Sequence, residues 1–236
     1  DSDVTVQQRT ATGLALLGQP VEPLLARIRP ATSDVDPEVR ISSLGVLAAA
    51  KDAQSVPLAL QALEDELVPV RVAAVKALGQ LGDPATAPAL AQAVDDEKTG
   101  IAREAAYALA AMNASESTEL LKALATKSDH PARVWIAVAM HRVDPADTDA
   151  RVKALIADQD VAIRRQTTAV LPDLKDYDAT EIFITALEDA DDQVSKSART
   201  FLAKSQLPRA QEALRQFFVA RVEKLVPVLS GQAINA

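Results

Sequence analysis

From Val70 to Glu97 the chain spells a pattern that recurs along almost its whole length. With Arg71 as the anchor, equivalent residues fall at Gln7, Arg40, Ala102, Arg133, Arg164 and Ser195, one step of 33 followed by five of 31. A fixed period of roughly 20 to 50 residues dictates a fold built by stacking one supersecondary unit. Seven residues after each anchor stand Leu14, Leu47, Leu78, Leu109, Met140, Leu171 and Leu202. One residue before stand Val6, Val39, Val70, Ile101, Ala132, Ile163 and Val194, and ten after stand Leu17, Ala50, Leu81, Met112, Val143, Leu174 and Ser205. These columns place an apolar stripe on one face of a helix.

The punctuation calls for a second helix in each repeat. Gly82 follows the stripe of the first helix where a left-handed C-terminal residue is wanted. Pro23, Pro57 and Pro88 precede segments rich in Leu and Ala, and proline is tolerated in a first turn because its missing N–H has no partner there. The second helix carries its own column, Leu63, Val94, Ala125, Ile156, Leu187 and Phe218. One such pair cannot bury both apolar faces, so neighbours must stack into a solenoid. The expected architecture is all-α, a single domain over 1–236 with repeats near 3–33, 34–65, 66–97, 98–128, 129–159, 160–190 and 191–226, and a C-terminal tail over 227–236. The last repeat ends in a longer amphipathic helix marked by Leu214, Phe217, Phe218, Val222 and Leu225, expected to stop at Pro227 and to close the exposed core or to dock a partner.

The stretches "VRVAAVKALGQLGDPATAPAL" and "IAREAAYALAAM" resemble the HEAT-like repeats of the phycobilisome-lyase type, over roughly Val4 to Phe218. The resemblance implies an α-α superhelix of right-handed sense. Proteins with such repeats include bilin lyase subunits, adaptors and regulators of enzymes, so the fold leaves the activity open. Gln7, Ser195 and Ala102 depart from the anchor arginine, the last with Arg103 one place later.

An aspartate stands four residues before the anchor at Asp3, Asp36, Asp129, Asp160 and Asp191. Its expected role is to cap the first helix, whose orphan N–H groups and dipole favour a carboxylate. Arg40, Arg71, Arg133 and Arg164 are expected to bond the loops or caps of adjacent repeats rather than to form an anion-binding row. Acidic clusters recur after the second helix at Glu64 to Glu66, Asp95 to Glu97 and Glu188 to Asp192. None has the ligand spacing or glycine of a calcium loop, so solvated loops and caps are expected.

Composition removes several classes of function. A net charge of −8 repels phosphate backbones, which argues against nucleic acid. No apolar run reaches the roughly 18 residues of a membrane span. With no Cys, and with His130 and His141 as the only histidines, neither a zinc site nor a redox cofactor is expected. Ser and Thr lack a nucleophile motif and the glycines form no phosphate cradle, so no catalytic residue and no cofactor is assigned. The start at Asp1 leaves a bacterial cytoplasm and, if a leader was removed, a periplasm both open.

The column two places after the anchor is mostly polar or small, yet it contains Trp135, the sole tryptophan. Val138 and Arg142 share its helical face. Two readings stay open: the ring fills a groove beside Ala132 and Ala137, or it anchors a protein partner with Arg142 at the rim. The favoured function is a non-enzymatic scaffold or adaptor that binds another protein. The alternative, suggested by the resemblance alone, is an accessory subunit akin to a bilin lyase or isomerase that handles a chromophore on a partner protein.

Overall fold

The computed structural model describes residues 13, 22–96, 99–112, 114–127 and 129–233. Gln7, Leu14 and the other expected positions of the first repeat's first helix lie outside them, as does Asp3. Thirteen α-helices and no strand occur among the described residues. They are α1 (Glu22–Ile28), α2 (Pro37–Ala49), α3 (Val56–Ala62), α4 (Val68–Leu81), α5 (Ala87–Ala93), α6 (Thr99–Met112), α7 (Ser115–Ala125), α8 (Arg133–Val143), α9 (Thr148–Ile156), α10 (Val161–Val170), α11 (Thr180–Ala186), α12 (Asp192–Lys204) and α13 (Pro208–Ala233). The even-numbered helices from α2 to α12 are the first helices of their repeats and the odd-numbered ones are the second. The chain forms two compact blocks, Asp1–Thr148 and Asp149–Ala236.

In the first block α4 lies between α2 and α6, α6 packs on α8, and the second helices α3, α5 and α7 pack on α4, α6 and α8. The column seven after the anchor forms the spine, with Leu47, Leu78, Leu109 and Met140 at most 1% exposed. The approach of α4 to α6 is set by small residues. A Cβ placed on Gly79 would lie 2.7 Å from the Ala108 Cβ. In the second block α12 packs on α10 and α11, and α13 packs on both α11 and α12. Its core is built around Phe183, which stacks on Phe201 with centroids 4.0 Å apart, and around Leu202 and Phe217.

Local signals act as their chemistry requires. Gly82 takes φ 74° as the C-cap of α4, where any side chain would strain the backbone. Asp52 and Asp83 cap short 3-10 turns that lead into α3 and α5, each accepting an N–H two residues on. A buried hydroxyl column follows at the same spacing. Ser55, Thr86 and Ser117 donate to the carbonyls of Asp52, Asp83 and Ala114, which lets polar side chains sit inside the stack without an unpaired group.

Three expectations need correction. Helix α13 does not stop at Pro227 but runs to Ala233, so the proline, which removes its own N–H from the ladder and crowds the carbonyl four residues back, is accommodated within the helix. Phe218 is 51% exposed rather than buried, because the inward stripe of α13 runs through Ala210, Ala213, Leu214 and Phe217, one place out of register with the other second helices. Asp129 does not cap α8. That helix opens at Arg133, with Ala132 as an N-cap that receives no side-chain cap, and the Ala132 N–H is taken instead by His130 Nδ1 at 3.0 Å.

Two substitutions test this packing. Leu109→Ala removes a fully buried side chain and is expected to cost about 2–5 kcal/mol in urea unfolding. Gly79→Ala replaces glycine by the best helix former, worth about 1 kcal/mol at an open site, yet it is expected to lower Tm because neither the Ala108 Cβ nor its backbone can yield. A rise in Tm would mean that α4 and α6 are not in close contact.

Candidate protein-docking surface

The polar residues of the repeats divide into a structural set and a remainder. The structural set is a chain of guanidinium clamps. Arg40 pairs with Asp65, Nε to Oδ2 at 2.8 Å, and its Nη1 donates to the Asp34 carbonyl at 2.8 Å. Arg71 faces Asp96 at 3.7 Å and donates Nη1 to the Asp65 carbonyl at 2.8 Å. In the second block Arg164 grips Asp189 through Nε at 2.7 Å and Nη2 at 3.0 Å, with Nη1 on the Asp158 carbonyl at 2.8 Å. Asp65 thus receives Arg40 on its carboxylate and Arg71 on its carbonyl, so one loop residue joins two successive first helices. The same carboxylates accept backbone N–H groups that close the loop, as Asp65 does from Leu67 and Asp189 from Asp191. Asp36, Asp160 and Asp191 then cap α2, α10 and α12.

Ionisation follows the geometry. Arg164 holds the Asp189 carboxyl below the usual carboxylate range against the opposing effect of burial. Burial pushes Asp65 up, but the Leu67 N–H and Arg40 together outweigh it and hold the group low. Arg165 draws Asp191 down to about 2. Folded values depressed below the unfolded value of about 3.9 give stability that is present above that pH and lost as pH falls through the folded values. Tm is therefore expected to fall between pH ~4 and ~2, and less steeply in Asp189→Asn. That variant is expected to lose about 1–3 kcal/mol at pH 7, the worth of hydrogen bonds to a charged group. An equal slope in both proteins would remove Asp189 from the acid response.

The fourth repeat breaks the series at both ends. Ala102 is buried where the anchor arginine belongs, and Lys127 stands where the loop aspartate would receive it. Asp95 and His130 bridge the gap, Oδ1 to Nε2 at 2.7 Å. Because His130 Nδ1 accepts the Ala132 N–H, the proton sits on Nε2 and is donated to Asp95. Arg133 donates to the His130 carbonyl at 3.0 Å. His141 lies apart, with Nδ1 2.9 Å from Thr148 Oγ1. Among the described residues no group of three or more His, Cys, Asp or Glu is placed to hold a metal.

Beside this break α6 and α8 carry a cation–aromatic cluster. Arg103, displaced one place from the anchor, lies with its guanidinium carbon 5.6 Å from the Trp135 ring centroid. Tyr107 meets the same ring edge to face at 6.3 Å. Trp135 is only 9% exposed, although its column is otherwise polar or small, because the two α6 side chains cover it. Its buried indole N–H finds no acceptor. Glu104 bonds Arg103 at 2.8 Å and lies 3.9 Å from Lys76 of α4. Val138 is half-buried one turn beyond Trp135, and Arg142 is exposed two turns beyond it with no ion pair among the described residues. A second exposed apolar group, Phe218, Val219 and Val222, lies on α13 past Phe217, over which Arg221 sits at 4.1 Å.

Trp135→Ala is expected to cost about 3–5 kcal/mol, as large aromatic truncations in packed sites do. Unchanged stability in urea would place the ring outside the packing between α6 and α8.

Comparison with known proteins identifies two overlapping matches to the model of HEAT repeats, over residues 25–110 and 56–141. No curated protein matches the chain in sequence. The chain is similar in structure to the complex of CpcE and CpcF of phycocyanin lyase from Nostoc sp. PCC7120, at 20% identity and TM-score 0.48 over 92% of this chain and 91% of that one. Human deoxyhypusine hydroxylase in complex with glycerol aligns at 19% identity and TM-score 0.38, covering 91% and 89%. YibA of E. coli aligns at 18% identity and TM-score 0.51, covering 89% and 86%, a likeness of fold alone.

Proposed function

The chain is a HEAT-repeat protein, and from that premise we propose that it is a non-enzymatic scaffold that binds another protein through the solvent-facing side of α6 and α8. The observation that carries this reading is the juxtaposition of Arg103, Tyr107 and Trp135 with half-buried Val138 and exposed Arg142. Tryptophan, tyrosine and arginine are the residues most enriched at binding hot spots, since each combines large contact area with a polar handle. Trp135 serves here as the rigid floor that positions Arg103 and Tyr107, while Val138 and Arg142 meet the partner. The clamps at Arg40, Arg71 and Arg164 engage their guanidinium groups within the fold, which supports a structural role for them.

The same cluster favours one second reading, an accessory subunit that handles a chromophore on a partner protein. A propionate-bearing conjugated molecule needs a cation beside aromatic rings, as Arg103 stands beside Trp135 and Tyr107. The covered Trp135 ring leaves little face for such a molecule to stack on. An absorbance titration with a linear tetrapyrrole separates the two readings, because the scaffold reading expects no spectral shift.

The partner is to be captured from source cells with the full chain and identified by mass spectrometry. Val138→Glu and Arg142→Ala are each expected to weaken the purified complex about tenfold or more, some 1.4 kcal/mol, with Tm within a few degrees of wild type. Wild-type affinity in both variants would overturn the assignment of this surface.

A further inference from the structure

The charges around the α6 and α8 surface run against those of the chain. The protein carries a net −8. Yet the groups reaching this surface are Lys76, Arg103 and Arg142, with Glu104 the carboxylate placed among them. Glu104 is already engaged, bonding Arg103 at 2.8 Å and facing Lys76 at 3.9 Å, so its charge is shared by two cations. Arg142 has no ion pair among the described residues. Tyr107 and Val138 stand at the repeat position of Lys76, five after the anchor, and Ala111 at that of Arg142, nine after it; Tyr107 and Val138 are half-buried and Ala111 is exposed. At physiological salt fields are screened within about 8 Å, so an approaching side chain senses this local excess of positive charge more than the distant acids of the loops.

We propose that the occupant of this surface is an acidic amphipathic segment of the partner protein, with an apolar side chain on Val138 and Tyr107 and carboxylates facing Lys76 and Arg142. The proposal rests on the reading of α6 and α8 as the docking surface and names the chemistry of what docks there. The spacing suits a helix. Trp135, Val138 and Arg142 occupy successive turns of α8, and Arg142 lies about 10 Å along the axis from Trp135, at 1.5 Å per residue. A partner helix laid along α8 with a carboxylate one turn from its apolar residue matches the interval from Val138 to Arg142. The unpaired Trp135 N–H is a second sign of an incomplete site, because a buried donor without an acceptor is disfavoured and a small shift of Arg103 toward a bound carboxylate would uncover it. Arg103, whose Nε and Nη2 bond Glu104 Oε1 in the free protein, can exchange that contact for the incoming carboxylate.

The test uses the full chain and two 18-residue amphipathic peptides that share a leucine face, one with glutamate and one with lysine on the other face. Emission from Trp135, the only tryptophan, reports contact at this surface and is blind to peptides held on the acidic loops. The glutamate peptide is expected to change Trp135 emission saturably at micromolar concentration, and the lysine peptide to need at least tenfold more. Raising NaCl from 50 to 500 mM is expected to weaken the glutamate peptide several-fold. The double variant Lys76→Glu, Arg142→Glu is expected to reverse the preference. An equal or stronger response to the lysine peptide, no response to the glutamate peptide at millimolar concentration, or an unchanged preference in the double variant would overturn the proposal. If Val138→Glu disrupts the captured complex while the double charge reversal leaves it intact, the docking surface stands and its acidic occupant falls.

Discussion

The clamp between Arg40 and Asp65, repeated by Arg71 with Asp96 and by Arg164 with Asp189, constrains everything built around it. Apolar burial alone lets helices slide and rotate over one another, since the hydrophobic effect has no direction. A guanidinium fork does have direction. By reaching a carboxylate in the next loop and a carbonyl in its own, each arginine fixes two loops relative to one helix. In the first block α2, α4 and α6 then present the same stripe, and Leu47, Leu78 and Leu109 fall into one spine. These pairs sit mostly out of solvent, where the gain over a well-packed apolar substitute is small. Their contribution is the register of the stack, which a merely greasy interface leaves undefined.

The interruption at the fourth repeat gains its meaning from that regularity. Ala102 cannot reach a loop, Lys127 cannot receive an arginine, and the Asp95–His130 hydrogen bond joins the two loops in their place. Freed from the clamp, the basic residue one place later turns to the other side of α6 and covers Trp135. The ring in turn links α6 to α8 through Tyr107. The departure from the structural pattern in the fourth repeat is thus where Arg103 meets Trp135 of the fifth, while Arg40, Arg71 and Arg164 spend their guanidinium groups on loop aspartates.

Much of the fold was legible in the sequence because the apolar columns recur at a fixed period and period is what sets a helical stack. Gly82, Pro57 and Pro88 marked real ends and starts for local steric reasons. The clamps were legible only in part. The arginine column and the capping aspartates stand out, but the clamped aspartates six residues before the anchor, Asp65, Asp96 and Asp189, hid inside acidic clusters that read as solvated loops. Their constant offset of 25 from the preceding arginine was the available signal. The register of α13 was not legible, because Phe217 and Phe218 are adjacent and equally apolar and only the packing against α11 and α12 selects Phe217. Trp135 was legible only as two open readings, because its column is half-buried at Ser42, Ala73, Glu104, Gln166 and Ser197, and the groups that cover the ring, Arg103 and Tyr107, belong to the neighbouring helix and to no pattern within α8.

Hydrogen exchange of the full chain with and without its captured partner tests the central claim most directly. Bound partner is expected to slow exchange in Thr99–Met112 and Arg133–Val143 and to leave Asp192–Lys204 unchanged. Slowing confined to Pro208–Ala233, with α6 and α8 exchanging as in the free protein, would move the docking surface to the last helix and contradict the account.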